Sequence, residues 1–328
     1  MTRRIPFTAA ILALLSSPQP GFAQSAVAEH AGRCDASAAI AVAPNLFVVA
    51  NDEDNVLRAY RLGEPAPVGE WDLNPFLKTA PKNEVDIEGV ARIGDVVYWI
   101  SSHGRNKDGE RKSERERLFA TEIKAGDGGR LDIRGLHKPY ETLLTDLADA
   151  PALAKYKLRD AARLKPEAEG GLNIEGLAAT PDGRLLIAFR NPLPGGKALV
   201  VPLLNPERVV KGEEAAKFGA AIELDLGGRG VRSINYVEAR KAFVVVAGPP
   251  ADTGGFKLFQ WSGPGGPSLT AIEQIGFGDL KPEALSVVPG SGALLVVSDD
   301  GGRKLEGEDC KDLGTSKRRF RATTIRLP

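Results

Sequence analysis

The chain has 328 residues, 42% of them hydrophobic, and its 43 Lys+Arg balance 43 Asp+Glu to a formal net charge of zero. That length suits one large domain or two small ones, with apolar residues enough for a sizeable core. The charge balance argues against a nucleic-acid partner, because phosphate-backbone recognition normally draws on a basic excess.

At the N-terminus, Arg3 and Arg4 precede a mostly apolar stretch, Ile5 to Leu15, that is too short to span a bilayer. Gly21-Phe22-Ala23 then places small residues where a signal peptidase reads them, so residues 1–23 read as a signal peptide and 24–328 as the mature chain. The alternative is a membrane anchor; no later stretch is apolar and long enough to span. An exported, periplasmic or secreted, protein follows from this reading. In an oxidising compartment the two remaining cysteines, Cys34 and Cys310, are expected to form a disulfide closing a very long loop.

A repeat then runs along the chain. Ser37 to Ile40 leads into the apolar run Leu46 to Val49. Asp86-Ile87-Glu88-Gly89-Val90-Ala91 leads through a turn into Val96 to Ile100. Asn173-Ile174-Glu175-Gly176-Leu177-Ala178 leads into Leu185 to Phe189. Val231 to Ile234 leads into Phe243 to Val246, and Lys281-Pro282-Glu283-Ala284-Leu285-Ser286 into Ala293 to Val297. A period of roughly fifty residues built of short strands is the signature of propeller blades. Third strands are expected at Leu118 to Ile123, Ala198 to Leu204, Lys257 to Trp261 and Arg321 to Leu327, and fourth strands at Val68 to Leu73, Ala220 to Leu226 and Ala271 to Ile275. The fold class is therefore all-β, a β-propeller of five four-stranded blades, with a sixth, degenerate blade as the alternative. The last unit runs out of chain after its third strand. Val27 to Arg33 is expected to supply its outer strand and close the ring, because an open ring leaves unpaired strand edges. The small residues Gly89, Ala91, Gly176, Ala178, Ala284 and Ser286 suit the crowding of innermost strands at an axis.

Two insertions interrupt the repeat. Arg105 to Arg117 is dense in charge of both signs and reads as a solvated loop between the second and third strands of blade two. Tyr140 to Leu164 carries apolar residues at helical spacing and reads as one or two helices broken near Pro151, joining blades two and three within an insertion of about residues 139–166. In a propeller both kinds of connection open on the same face, where they can pack or form a partial lid.

That face collects the candidate site. Glu88, Glu175 and Glu283 begin innermost strands, with Arg232 in the equivalent place, while Asn51, Asp52, Asp54, Ser102, His103, Arg105, Arg190, Asn191, Asp299 and Asp300 follow second strands. Two readings stand side by side. In one, Glu88, Glu175, Glu283 and Asp299 hold Ca²⁺, a hard cation that prefers oxygen ligands. Arg190, Asn191, Arg232 and Arg105 then bind a small anionic ligand, and His103 or Glu175 moves the proton of a calcium-dependent phosphoesterase or esterase-like reaction. In the other, the glutamates pair with Arg190 and Arg232 and tie blades together, and the loop face is a binding surface for a ligand or a periplasmic protein. With three histidines in all, a multi-histidine metal centre is not expected. No P-loop, dinucleotide fingerprint or nucleophile elbow is present in the sequence.

The repeat residues, the stretch Asp86 to Arg105, the run Gly171 to Pro192 and the segment Ala198 to Pro206 together resemble an uncharacterised bacterial family, domain of unknown function 3616, over roughly residues 36–327. The resemblance implies a secreted propeller and supplies no established activity. The I-E-G-[VL]-A motif also looks like that of the phytase-like esterase propellers, a likeness too short to carry any catalytic residue across.

Overall fold

In a computed structural model, which describes residues 25–125, 130–251 and 254–328, the chain folds into five four-stranded antiparallel sheets. Blade one is Ala36–Ala43, Leu46–Asn51, Val56–Arg61 and Pro67–Asp72. Blade two is Ile87–Ile93, Val96–Ser101, Leu118–Ala125 and Leu131–Tyr140, and blade three is Asn173–Ala179, Leu185–Asn191, Ala198–Leu203 and Ile222–Leu224. Blade four is Gly230–Val237, Ala242–Gly248, Lys257–Trp261 and Leu269–Ala271. Blade five takes Pro282–Val287, Leu294–Ser298 and Arg319–Ile325 from the C-terminal part and its outer strand, Ala28–Ala31, from the N-terminal part. The ring is thus closed as the unpaired edge requires, with Ala28 opposite Ala322 and Ala31 opposite Arg319. No sixth blade forms among the described residues; the long second spacing is filled by the helical insertion. The signal-peptide reading of residues 1–23 lies outside the described residues. Among those described, no helix is long and apolar enough to cross a membrane.

Each sheet buries one face against each neighbour, so the core divides into apolar wedges between blades. Leu57, Trp99 and Phe119 fill the wedge between blades one and two. Ile100, Leu177 and Phe189 fill the next, together with Leu143, Leu147, Leu153 and Leu158 from the helical insertion. Val245 and Trp261 lie between blades three and four, Val246 and Leu285 between four and five, and Phe47, Tyr60 and Phe320 between five and one. The helical insertion forms Leu143–Asp149, a tight turn Pro151–Tyr156 and Leu158–Ala161, broken at the expected proline. Its apolar face completes a wedge, so packing is one of its roles.

Near the axis the small residues are needed for space. A Cβ on Gly176 would come within 2.8 Å of the Ala188 Cβ and 2.9 Å of a Val231 methyl, and one on Gly89 within 2.8 Å of an Ile100 methyl. The same strands are stitched across blades by short polar side chains. Ser37 Oγ donates to Ile87 O at 2.5 Å, Ala41 N donates to Ser286 Oγ at 2.9 Å, and Leu285 N donates to Ser233 Oγ at 2.9 Å.

Cys34 and Cys310 form the expected disulfide, 276 residues apart in sequence. It joins the segment entering blade one to an insertion of blade five that contains the hairpin Lys304–Leu305 and Glu308–Asp309. The closure is reinforced by an aromatic group in which the His30 ring meets Phe47, Tyr60 and Phe320, with ring centroids 5.2 to 5.3 Å from it.

Candidate functional site

Loops that follow second strands and loops that join blades open on one face, and a cavity of about 1040 Å³ lies there. Its walls come from those two loop classes. Asp52 and Glu53 follow the second strand of blade one, Arg105 to Arg115 that of blade two, Arg190 ends that of blade three, and Lys311 and Asp312 belong to the insertion of blade five. Lys82 to Asp86 and Lys165 to Ala168 come from inter-blade connections, and Glu88 and Asn173 from innermost strands. Both insertions therefore wall the mouth.

The charged run is built into the structure rather than merely solvated. Arg115 donates to Asp86 at 2.7 Å and to Glu84 at 2.6 Å, Arg111 pairs with Glu116 at 2.7 Å, and Arg117 pairs with Glu141 at 3.3 Å. Asp86 also accepts from Ser102 Oγ. Its backbone sits at φ 59°, a left-handed conformation that costs a side-chain-bearing residue energy and persists only where surrounding contacts impose it.

The candidates separate into two groups. Glu175 is clamped by Arg190 at 3.2 Å and Arg232 at 2.9 Å, and Arg232 also pairs with Glu283. This ion cluster ties blades three, four and five beside the axis, and Glu175, Glu283 and Arg232 do not line the cavity. Burial pulls the Arg232 guanidinium below its ordinary value, with Glu175 opposing. Asn191 donates to Pro166 O at 2.8 Å and Ala168 O at 2.6 Å, so it holds the end of the helical insertion against blade three. His103 is 2% exposed, sits at φ 55°, and its Nδ1 lies 2.8 Å from Ser101 O. Burial lowers its pKa to about 4, and it too lies outside the cavity.

The second group faces the open space. Asp52 and Glu88 line the cavity floor and make no ion pair or hydrogen bond among the described residues, and Asp52 Oδ1 is a buried acceptor without a partner. Asp299 lies behind them, accepting from Gly301 N at 2.8 Å. Asp35, which sequence reasoning did not single out, is 7% exposed and its Oδ2 is likewise unpartnered. Asn173 was also missed; it is 5% exposed, donates to Glu175 at 3.1 Å, and leaves its Oδ1 unsatisfied. It occupies the same repeat position as Asp86, two residues before the glutamate, so the signal was available in the repeat. Among the described residues, no three or more His, Cys, Asp or Glu side chains are disposed to hold a metal ion. Of the predicted set, Glu175 and Glu283 thus lie in an arginine clamp, Glu88 lines the cavity, and Asp299 does neither.

Burial without an ion pair biases carboxyls towards their protonated form. Burial raises Asp52 and Glu88 well above the ordinary carboxylate range, Asp52 further through Asp35 and Glu88, and Glu88 further through Asp86 and Glu175. Asp35 is pushed up to about 7 by burial and then by Asp299 and Glu53, against Lys311 and Arg318. A carboxylate raised in the folded state binds its proton more tightly than in the unfolded chain, so its contribution to stability is lost as pH rises through the folded value. Buried His30 and His103, both lowered, act in the opposite sense below about pH 6.5. Above about pH 7 the histidine effect fades and the carboxylates dominate, and between about pH 7 and 8 unfolding free energy is expected to fall with pH by up to about 1.4 kcal/mol per unit for each proton retained. Urea denaturation across that window checks this. Asp35→Asn should flatten the slope, and a wild-type stability that rises with pH there contradicts the assignment.

A family model described as Protein of unknown function (DUF3616) matches residues 35–125 and 130–303. No curated protein matches the sequence. Among solved structures, glutaminyl cyclase from Myxococcus xanthus is similar with a TM-score of 0.46 and 11% identity, over 94% of this chain and 97% of that one. A putative oxidoreductase (glucose dehydrogenase) from Thermus thermophilus has a TM-score of 0.43 and 16% identity, over 93% and 100%. The PQQ-bound aldose sugar dehydrogenase from Streptomyces coelicolor has 0.41 and 11%, over 91% and 98%. Scores and identities this low transfer none of those chemistries.

Proposed function

We propose, for a chain that belongs to the family described as Protein of unknown function (DUF3616), that it is a binding propeller whose channel-mouth cavity receives a small hydrophilic ligand. The observation that carries this is the cavity itself: about 1040 Å³, walled by both insertions and lined almost wholly by charged and amide side chains. Small-molecule sites are concave, largely pre-formed and typically about 300–1,000 Å³. Binding has better support than calcium-dependent ester hydrolysis. A general base must reach the proton it takes, whereas His103 is enclosed away from the cavity and Glu175 is held by two arginines. The disulfide supports the reading of the protein as exported, since such bonds persist in oxidising compartments.

The test is the thermal unfolding midpoint of the disulfide-intact chain against a panel of amino acids, short peptides, dicarboxylates and sugar phosphates. A ligand of the folded state stabilises by mass action, by about 2.7 kcal/mol at a hundredfold excess over its dissociation constant. At least one class is expected to raise the midpoint. Ala168→Trp, which puts a large ring at the cavity wall from an exposed position, should abolish that rise. No shift with any class, or a shift untouched by Ala168→Trp, overturns the reading.

A further inference from the structure

The charges of the mouth are sorted by depth, and the sorting identifies the kind of molecule that fits. Deep in the site, Glu175 and Glu283 are answered by Arg190 and Arg232, and Asp86 by Arg115. Asp52 and Glu88 make no ion pair among the described residues, and they line the cavity with Asn173, whose Oδ1 is unsatisfied. At the rim the charges without an ion pair among the described residues lean the other way, although Asp108, Glu114 and Asp312 lie there too. Lys82, Lys107, Lys165 and Lys311 are exposed and line the cavity without an ion pair among the described residues. Arg105 also lacks a carboxylate partner, and its guanidinium is fixed by Ala162 O at 3.0 Å and Gly109 O at 2.9 Å.

We infer that the cavity takes a zwitterionic solute of short-peptide size, its ammonium inward on Asp52, Glu88 and Asn173 and its carboxylate outward on Arg105 and the rim lysines. This rests on the ligand-binding reading given above. An ammonium carries three donors and no acceptor; beside it Asp52 and Glu88 would release their protons and offer acceptors alone, as the buried Asn173 Oδ1 already does. Buried acceptors without partners are costly until something donates to them. A simple anion would leave the buried floor acceptors without a donor, and a simple cation would leave Arg105 and the rim lysines unanswered. A metal ion would need a convergent ligand set, and no such set occurs among the described residues. A molecule with separated opposite charges satisfies both ends at once, and the cavity's volume exceeds the needs of a single amino acid.

The matched probes are triglycine, N-acetyltriglycine, which keeps only the anion, triglycinamide, which keeps only the cation, and calcium chloride. Each is titrated calorimetrically into the disulfide-intact chain at neutral pH. Triglycine is expected to bind at least about tenfold more tightly than either single-charge analogue. Asp52→Asn and Glu88→Gln, each removing a repelled carboxylate and so sparing the fold, should weaken triglycine by about tenfold or more and leave N-acetyltriglycine no weaker. Acetylated peptide binding as well as triglycine, calcium alone binding tightly, or triglycine indifferent to both substitutions overturns the inference. If another solute class shifts the unfolding midpoint while triglycine does not bind, the zwitterion assignment fails and the binding reading stands. If no solute acts at all, both fail.

Discussion

Arg232→Met is expected to lower the unfolding free energy by about 3–5 kcal/mol, the usual cost of stranding buried charge by removing its partner. Arg232 is 6% exposed and is the link between Glu175 of blade three and Glu283 of blade five, and its guanidinium also lies 5.8 Å from the Phe256 ring centroid. Without it, Glu283 loses its cation and Glu175 keeps only Arg190. The loss is therefore electrostatic before it is steric, and methionine keeps much of the volume. Adding Glu175→Gln and Glu283→Gln should recover a substantial part of the stability, because no buried carboxylate then remains stranded there. Urea unfolding of the single and triple variants measures both effects. A single-variant loss below about 1 kcal/mol, the range of exposed ion pairs, would contradict a buried inter-blade clamp.

Cys34→Ser is expected to cost about 5 kcal/mol, since the chain-entropy relation gives about 4.7 kcal/mol for a hundred-residue loop and about 5.6 for a span this long. The bond spans 276 residues and both sulfurs are inaccessible. Its position matters as much as its loop. Asp300 N donates to Cys34 O at 2.9 Å and Asp35 bridges Asp299, so the first and last blades meet at the cysteine itself. Native-state hydrogen exchange of the variant should show protection falling first in Ala28–Ala31 and Arg319–Ile325, the strands whose pairing closes the ring. Loss spread evenly over all blades, or a change within about 1 kcal/mol, would show that the aromatic contacts of His30 and the strand pairing hold the ring unaided.

The blades were legible because packing writes itself into sequence at a fixed period. Glycines at 89 and 176 recur because a Cβ at either would collide with its own blade and with the innermost strand of the next. The N-terminal outer strand was legible because the last blade lacked one and exposed edges demand a partner. Outer strands were less well placed. The fourth strand of blade three is only Ile222–Leu224, and that of blade four is Leu269–Ala271, before rather than after the expected start. Outer strands are half solvated and their alternation is weak, so propensity decides little there. The mouth itself followed from topology, which puts second-strand ends and inter-blade loops on one face. Which carboxylate there is paired did not follow. Glu88, Glu175 and Glu283 occupy one repeat position, yet Arg232 takes two of them and leaves the third, a choice made between blades and invisible along the chain. His103 lies outside the cavity for a local reason the sequence does not show: its backbone is left-handed and its ring Nδ1 lies 2.8 Å from Ser101 O.

A crystal structure of the chain grown with saturating triglycine would locate the zwitterion directly. The predicted result is a peptide in the channel mouth with its amine against Asp52, Glu88 and Asn173 and its carboxylate at Arg105. A peptide lying the other way round, or bound elsewhere with the mouth holding only water, would contradict it.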